Sequence, residues 1–245
     1  MLGACLGPSS EAGARLRHKL LALRACLGPS SEAGRHALIG YIVWPTWAGM
    51  SANEKFAVLL EDQGQYAAAL LRAYSRPAAS DPAHLRSLQL EGRRAHSDAD
   101  ASALRLIDEP PKPPMTAELA RALIAETDRL ATAELILQAA VSADGQADAV
   151  PSAQAGPGQA PIDRLAAGLG AASDVLARSL RALKPPGPLP PLRQLQAAVS
   201  GQPDADRVVL TTTDAIVDAV NSTTDILHRY LTRTRKQGST APTER

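Results

Sequence analysis

The stretch His84–Pro114, HLRSLQLEGRRAHSDADASALRLIDEPPKPP, decides the fold class. Leu85, Leu88, Gly92, Ala95, Ala99, Ala103 and Leu106 recur in steps of three and four, which places them on one stripe of a helix. Asp81-Pro82 supplies an N-cap and a first-turn proline, and Glu109-Pro110-Pro111 stops the helix. The middle of the stripe is Gly and Ala, so a second helix backbone is expected to approach closely there. Arg86, Arg93, Arg94 and Arg105 lie elsewhere on the same helix. A long helix with a thin waist and a basic flank reads as an interaction element.

Working outward, Ser51–Arg76 carries an apolar stripe of Phe56, Leu59, Leu60, Gln63, Ala67, Leu70, Leu71 and Tyr74, ended by Pro77. Met115–Val141 is a third helix, capped by Thr116, with Leu119, Leu123, Leu130, Ala133 and Leu137 near heptad spacing. Residues 142–160 are rich in Gly, Pro, Ala and Ser and read as a flexible linker. A fourth helix follows through Ile162, Leu165, Leu169, Ala172, Leu176, Leu180 and Leu183, broken by Pro185-Pro186. Leu189–Val199 adds a short helix. The last, Ala205–Arg235, turns Val209, Ile216, Val220, Leu227 and Leu231 inward, with many threonines on other faces. No stretch alternates with the two-residue period of a strand. The expected architecture is all-α, a bundle of four to five long, mostly antiparallel helices with Pro/Gly-rich linkers.

Composition agrees. Of 245 residues 45% are hydrophobic but only 3% aromatic, with Phe56 the single phenylalanine, so the core must be Leu, Ala, Val and Ile. That suits close-packed helices. A formal net charge of +1 predicts neither nucleic-acid wrapping nor strong attraction to anionic lipid. The two cysteines, Cys5 and Cys26, form no CxxC pair, and free thiols are expected. Met1–Gly13 lacks the charged start and apolar run of a secretory signal.

The domain plan is then an N-terminal segment 1–35, an apolar segment 36–50, a bundle core 51–141, the linker 142–160, further bundle helices 161–236 and a tail 237–245. The first segment repeats ACLGPSSEAG at Ala4–Gly13 and Ala25–Gly34, too few copies for a solenoid. A short helix is expected there through Leu16, Leu20 and Leu23. In the second segment Leu38–Val43 precedes Trp44-Pro45 and Trp47, resembling the interfacial end of a membrane helix. The run falls far short of the ~20 apolar residues needed to span.

Chemistry is sparse. The five histidines, His18, His36, His84, His96 and His228, fall in separate contexts, without HExxH or metal-ligand spacing. His96, Asp98 and Asp100 diverge around a helix and read as solvated polar residues. Gly168-Leu169-Gly170 lies within a helical pattern and marks helix contact rather than a phosphate loop. GxSxG is absent. No enzyme, cofactor or metal is expected. Arg93-Arg94 and Arg229, Arg233, Arg235 and Lys236 are the two basic groups, and without interleaved aromatics they do not read as a nucleic-acid site.

Gly40-Tyr41-Ile42-Val43-Trp44-Pro45-Thr46-Trp47, the helix ending in Tyr66–Leu71, and the run Arg93–Ser102 leading to Glu109-Pro110 together resemble the FUSC family. These are fusaric-acid-resistance or aromatic-acid-exporter-like inner-membrane transporters, including YccS-like proteins. The resemblance spans about 37–141 and continues more loosely to 199. It implies the C-terminal cytosolic portion of an exporter of small organic acids, without the membrane helices, serving assembly or regulation at the cytoplasmic face of the inner membrane. Partners would be membrane or transmembrane subunits and further copies of the chain. The expected interaction surface is Trp44 and Trp47 together with Gly92, Arg93, Arg94, Ala95 and Ala99. The alternative is an independent soluble, cytoplasmic helical-bundle adaptor binding a protein or small ligand.

Overall fold

A computed structural model of the chain describes residues 32–108, 115–144, 159–202 and 206–239, with side chains described for 52–107, 115–142, 160–202 and 206–234. The N-terminal repeat, its expected helix, the cysteines, the Glu109-Pro110 stop and most of the 142–160 linker lie outside the described residues. The described residues form six α-helices: α1 Glu32–Ser75, α2 Pro82–Asp108, α3 Ala117–Asp144, α4 Gln159–Ala182, α5 Leu192–Ser200 and α6 Arg207–Ser239. A 3₁₀ turn, Pro77–Ala79, joins α1 to α2. Among the described residues there is no strand, and the chain is all-α.

The expected segments at 36–50 and 51–76 are one element, since α1 is helical without interruption through Trp44, Pro45 and Trp47. The chain divides between Ala48 and Gly49, and the bundle is the second unit. Among the described residues no helix is long and apolar enough to cross a membrane.

Local chemistry sets the helix ends. The Ala83 amide donates to Asp81 Oδ1 at 2.9 Å, and the Leu119 amide to Thr116 Oγ1 at 3.2 Å. Both caps satisfy donors that a helix start leaves unpaired. α4 ends differently. Leu183 adopts φ 54, the left-handed region, while the Lys184 amide reaches back to the Ser179 carbonyl at 3.1 Å. This is the Schellman closure, in which glycine is the usual residue. Leu183 therefore leaves the apolar stripe assigned to it and is 41% exposed.

In α2 the stripe is buried from Leu88 to Leu106, Leu85 packing partly against it. α3 lies antiparallel to α2, with Gln89 Nε2 donating to Gln138 Oε1 at 2.7 Å and His96 Nε2 3.3 Å from Asp128 Oδ1. α6 packs against α3, α4 and α5. Three of its threonines turn inward. Thr212, Thr213 and Thr223 are buried, each donating its hydroxyl to a carbonyl of its own helix. With the hydroxyl satisfied locally, the γ-methyl is free to pack in the core.

α1 and α4 run antiparallel in tight register. Arg181 meets Glu54 at 3.0 Å and Glu61 at 2.7 Å, Gly64 faces Ser173, and Asp163 accepts from Ser75 at 2.8 Å and from Arg76. The guanidinium of Arg181 holds the Glu61 carboxyl below its ordinary value. A Cβ on Gly64 would lie 1.8 Å from Ser173 Oγ and 2.3 Å from Ser173 Cβ. Oγ can rotate away, but Cβ is fixed to the backbone. Gly168, by contrast, meets the movable Leu195 Cδ1 of α5 at 2.7 Å.

This geometry sets the sign of two substitutions. Gly64→Ala gains about 1 kcal/mol of helix propensity but overpacks the interface by about 1–3 kcal/mol. Urea unfolding should show net destabilisation, relieved when Ser173→Gly is added. A more stable Gly64→Ala chain would contradict the close approach. Leu183→Gly should raise unfolding free energy by about 0.5–1 kcal/mol, since glycine adopts positive φ without the steric cost. A loss of stability would show that Leu183 contributes packing instead.

Candidate functional site

The expected interaction residues separate once folded. Ala95 and Ala99 are buried in the chain's own core, so the helix pairing they serve is internal. Arg93 and Arg94 are exposed. The side chains of Trp44 and Trp47 lie outside the described residues. Gly92 is buried, yet a Cβ built on it would meet nothing within 4 Å. The close helix approach expected at Gly92 is not made there. In its place is a pocket.

This pocket, about 240 Å³, lies between α1, α2 and α3. Gln63 and Tyr66 come from α1, Gln89, Gly92, Arg93 and His96 from α2, and Asp128, Ala131, Glu134 and Leu135 from α3. Helical spacing explains the grouping, because Gln89, Gly92, Arg93 and His96 lie within two turns on one side of α2. Asp128, Ala131, Glu134 and Leu135 do the same on α3.

The floor is buried and the mouth is wet. Gln63 and Glu134 are each 4% exposed, and neither Gln63 Oε1 nor Glu134 Oε1 has a hydrogen-bond partner. Leaving a buried acceptor without a donor costs about 1–3 kcal/mol. Arg93 and Asp128 are exposed, and His96 is half-buried beside Asp128. Burial pushes the Glu134 carboxyl well above its usual value near 4.5. The Tyr66 hydroxyl is pushed up to about 12, first by burial and next by the nearby Glu134, with Arg93 opposing.

His96 thus meets a carboxylate of α3 rather than Asp98 or Asp100, which are exposed. Among the described residues no group of three or more His, Cys, Asp or Glu is placed to hold a metal ion. Two larger hollows, about 420 and 400 Å³, lie near the α1–α2 turn. Neither is lined by Gln63 or Glu134. Compared with protein-family models, curated proteins and solved structures, the chain matches none.

Glu134 was not among the expected site residues, although it left a signal. Thr127, Leu130, Glu134 and Leu137 follow a three-four-three spacing, which puts a glutamate on the buried stripe of α3.

The raised Glu134 value has a definite consequence for stability. The folded chain keeps this proton to higher pH than the unfolded chain does. Stability therefore falls as pH climbs from about 4.5 toward the folded value. Glu134→Gln removes that fall. The variant should melt close to the parent at about pH 4 and increasingly above it as pH rises past about 4.5, each 1 kcal/mol appearing as ~2–4 °C in Tm. Parallel melting curves across this range would contradict a buried, uncharged Glu134.

Proposed function

We propose that this chain is a non-catalytic helical domain that takes a small ligand between α1, α2 and α3. One observation supports the reading most strongly: Gln63 and Glu134, each with a buried acceptor that has no partner, line one pocket together with the gap at Gly92. A purely structural core closes such gaps and pairs such atoms. At about 240 Å³ the pocket falls below the ~300–1,000 Å³ of drug-sized ligand sites. A ligand of few heavy atoms fits it.

The setting we propose comes from the resemblance of residues 37–141 to FUSC-type exporters. On that reading the domain lies at the cytoplasmic face of the inner membrane and assembles with transmembrane subunits or further copies. Ligand occupancy would regulate that assembly, and transport itself would belong to the membrane part. The Trp-Pro-x-Trp segment supports this membrane-face setting.

Gly92→Leu tests the ligand reading. A Cβ there enters open space, the rest of the leucine occupies the pocket, and leucine gains about 0.8–1 kcal/mol of helix propensity over glycine. The variant should fold with an unchanged or higher Tm, and it should lose the thermal shifts that small organic amines, acids or alcohols give the parent. Shifts that survive in Gly92→Leu, or no shift in either protein, would overturn the reading.

A further inference from the structure

Resting on the ligand reading above, we propose that the pocket selects a small organic ammonium ion, with Glu134 as its buried counter-ion and Gln63 as a second acceptor. With Glu134 ionised in the complex both partnerless atoms are acceptors, so what fills the pocket must bring donors. A carboxylate brings acceptors alone and an alcohol a single donor. An ammonium group carries three donors on one atom and no acceptor. Burying its charge requires a counter-charge within contact, and Glu134 is the carboxylate at the floor.

The charged groups facing Glu134 across the pocket are Arg93 and His96 from α2 and Asp128 from its own helix, while α1 contributes the uncharged Gln63 and Tyr66. Arg93 is exposed at the mouth and repels an incoming cation. Asp128 attracts one, although His96 engages it. Ala131 and Leu135 offer an apolar wall for a short alkyl chain.

Proton balance follows from the starting state. Burial favours the neutral acid in unliganded Glu134. An ammonium ion entering from water leaves its own protons in place, and the Glu134 proton departs to solvent. Binding exchanges one proton for one organic cation, and no covalent bond to carbon forms or breaks.

The test uses three probes of matched size on the full chain: butylammonium, butanoate and butan-1-ol. Calorimetric titration at neutral pH should rank butylammonium first, by about tenfold or more, the worth of one charge-assisted hydrogen bond. Heats measured in buffers of different ionisation enthalpy should report release of close to one proton per butylammonium bound. Glu134→Gln should lose the butylammonium preference, and Arg93→Ala should strengthen butylammonium binding. Tighter binding of butanoate or butanol, lost in Gly92→Leu, would overturn the ammonium assignment and leave the ligand pocket standing. Butylammonium binding without proton release would overturn the role of Glu134. If none of the three probes binds, both the pocket reading and the ammonium assignment fall. The ranking and the proton count come from the parent chain and do not depend on any variant folding.

Discussion

A core with a single phenylalanine closes by bringing helix backbones together, and among the described glycines Gly64 meets its partner, Ser173, most tightly. The approach locks the register of α1 on α4. Glu54 and Glu61 then reach Arg181 at one end, and Asp163 receives Ser75 and Arg76 at the other. Surface ion pairs of this kind contribute little alone, about 0–1 kcal/mol each. Their arrangement along one seam reports the register more than it creates it. The buried Leu, Val and Ile side chains stabilise the bundle far more, by about 1.5–3 kcal/mol for each one fully buried.

The same economy of small side chains leaves space beside Gly92. Gly64 is met by a partner and Gly92 is not. Beneath Gly92 lie a glutamate and a glutamine whose oxygens go without donors. A bundle of this kind tolerates a few such costs within a total stability of about 5–15 kcal/mol, and they concentrate where function offsets them. The pocket and the tight seam thus follow from one compositional constraint. Close contact of backbones is good where both surfaces are small and leaves space where only one is.

Much of the fold was legible because helix periodicity is a strong signal. The stripes Leu88–Leu106, Leu119–Leu137 and Val209–Leu231 are buried where the three-four spacing placed them, and Asp81 and Thr116 cap as their side chains dictate. Less legible was anything that depends on a partner helix. Gly92 and Gly64 are the same residue in the same kind of helix, and only the identity of the facing surface makes one a gap and the other a contact. Likewise the buried threonines of α6 depend on hydroxyls turned onto their own backbone, a rotamer choice that periodicity does not specify. Glu134 could have been noticed as a charge on a buried stripe, but Gln63 and Tyr66, which meet it from α1, come from far away in sequence.

The central claim is that the bundle holds an uncharged carboxyl at the floor of an open pocket. Carbon-13 NMR of the glutamate side-chain carboxyls, followed through a pH titration of the ligand-free chain, observes that group directly. The Glu134 resonance should remain that of the protonated acid well above the ordinary midpoint near 4.5. A Glu134 midpoint within the ordinary range would contradict the account, since it would mean the carboxylate is already solvated or paired and the floor of the pocket is not what the packing makes it.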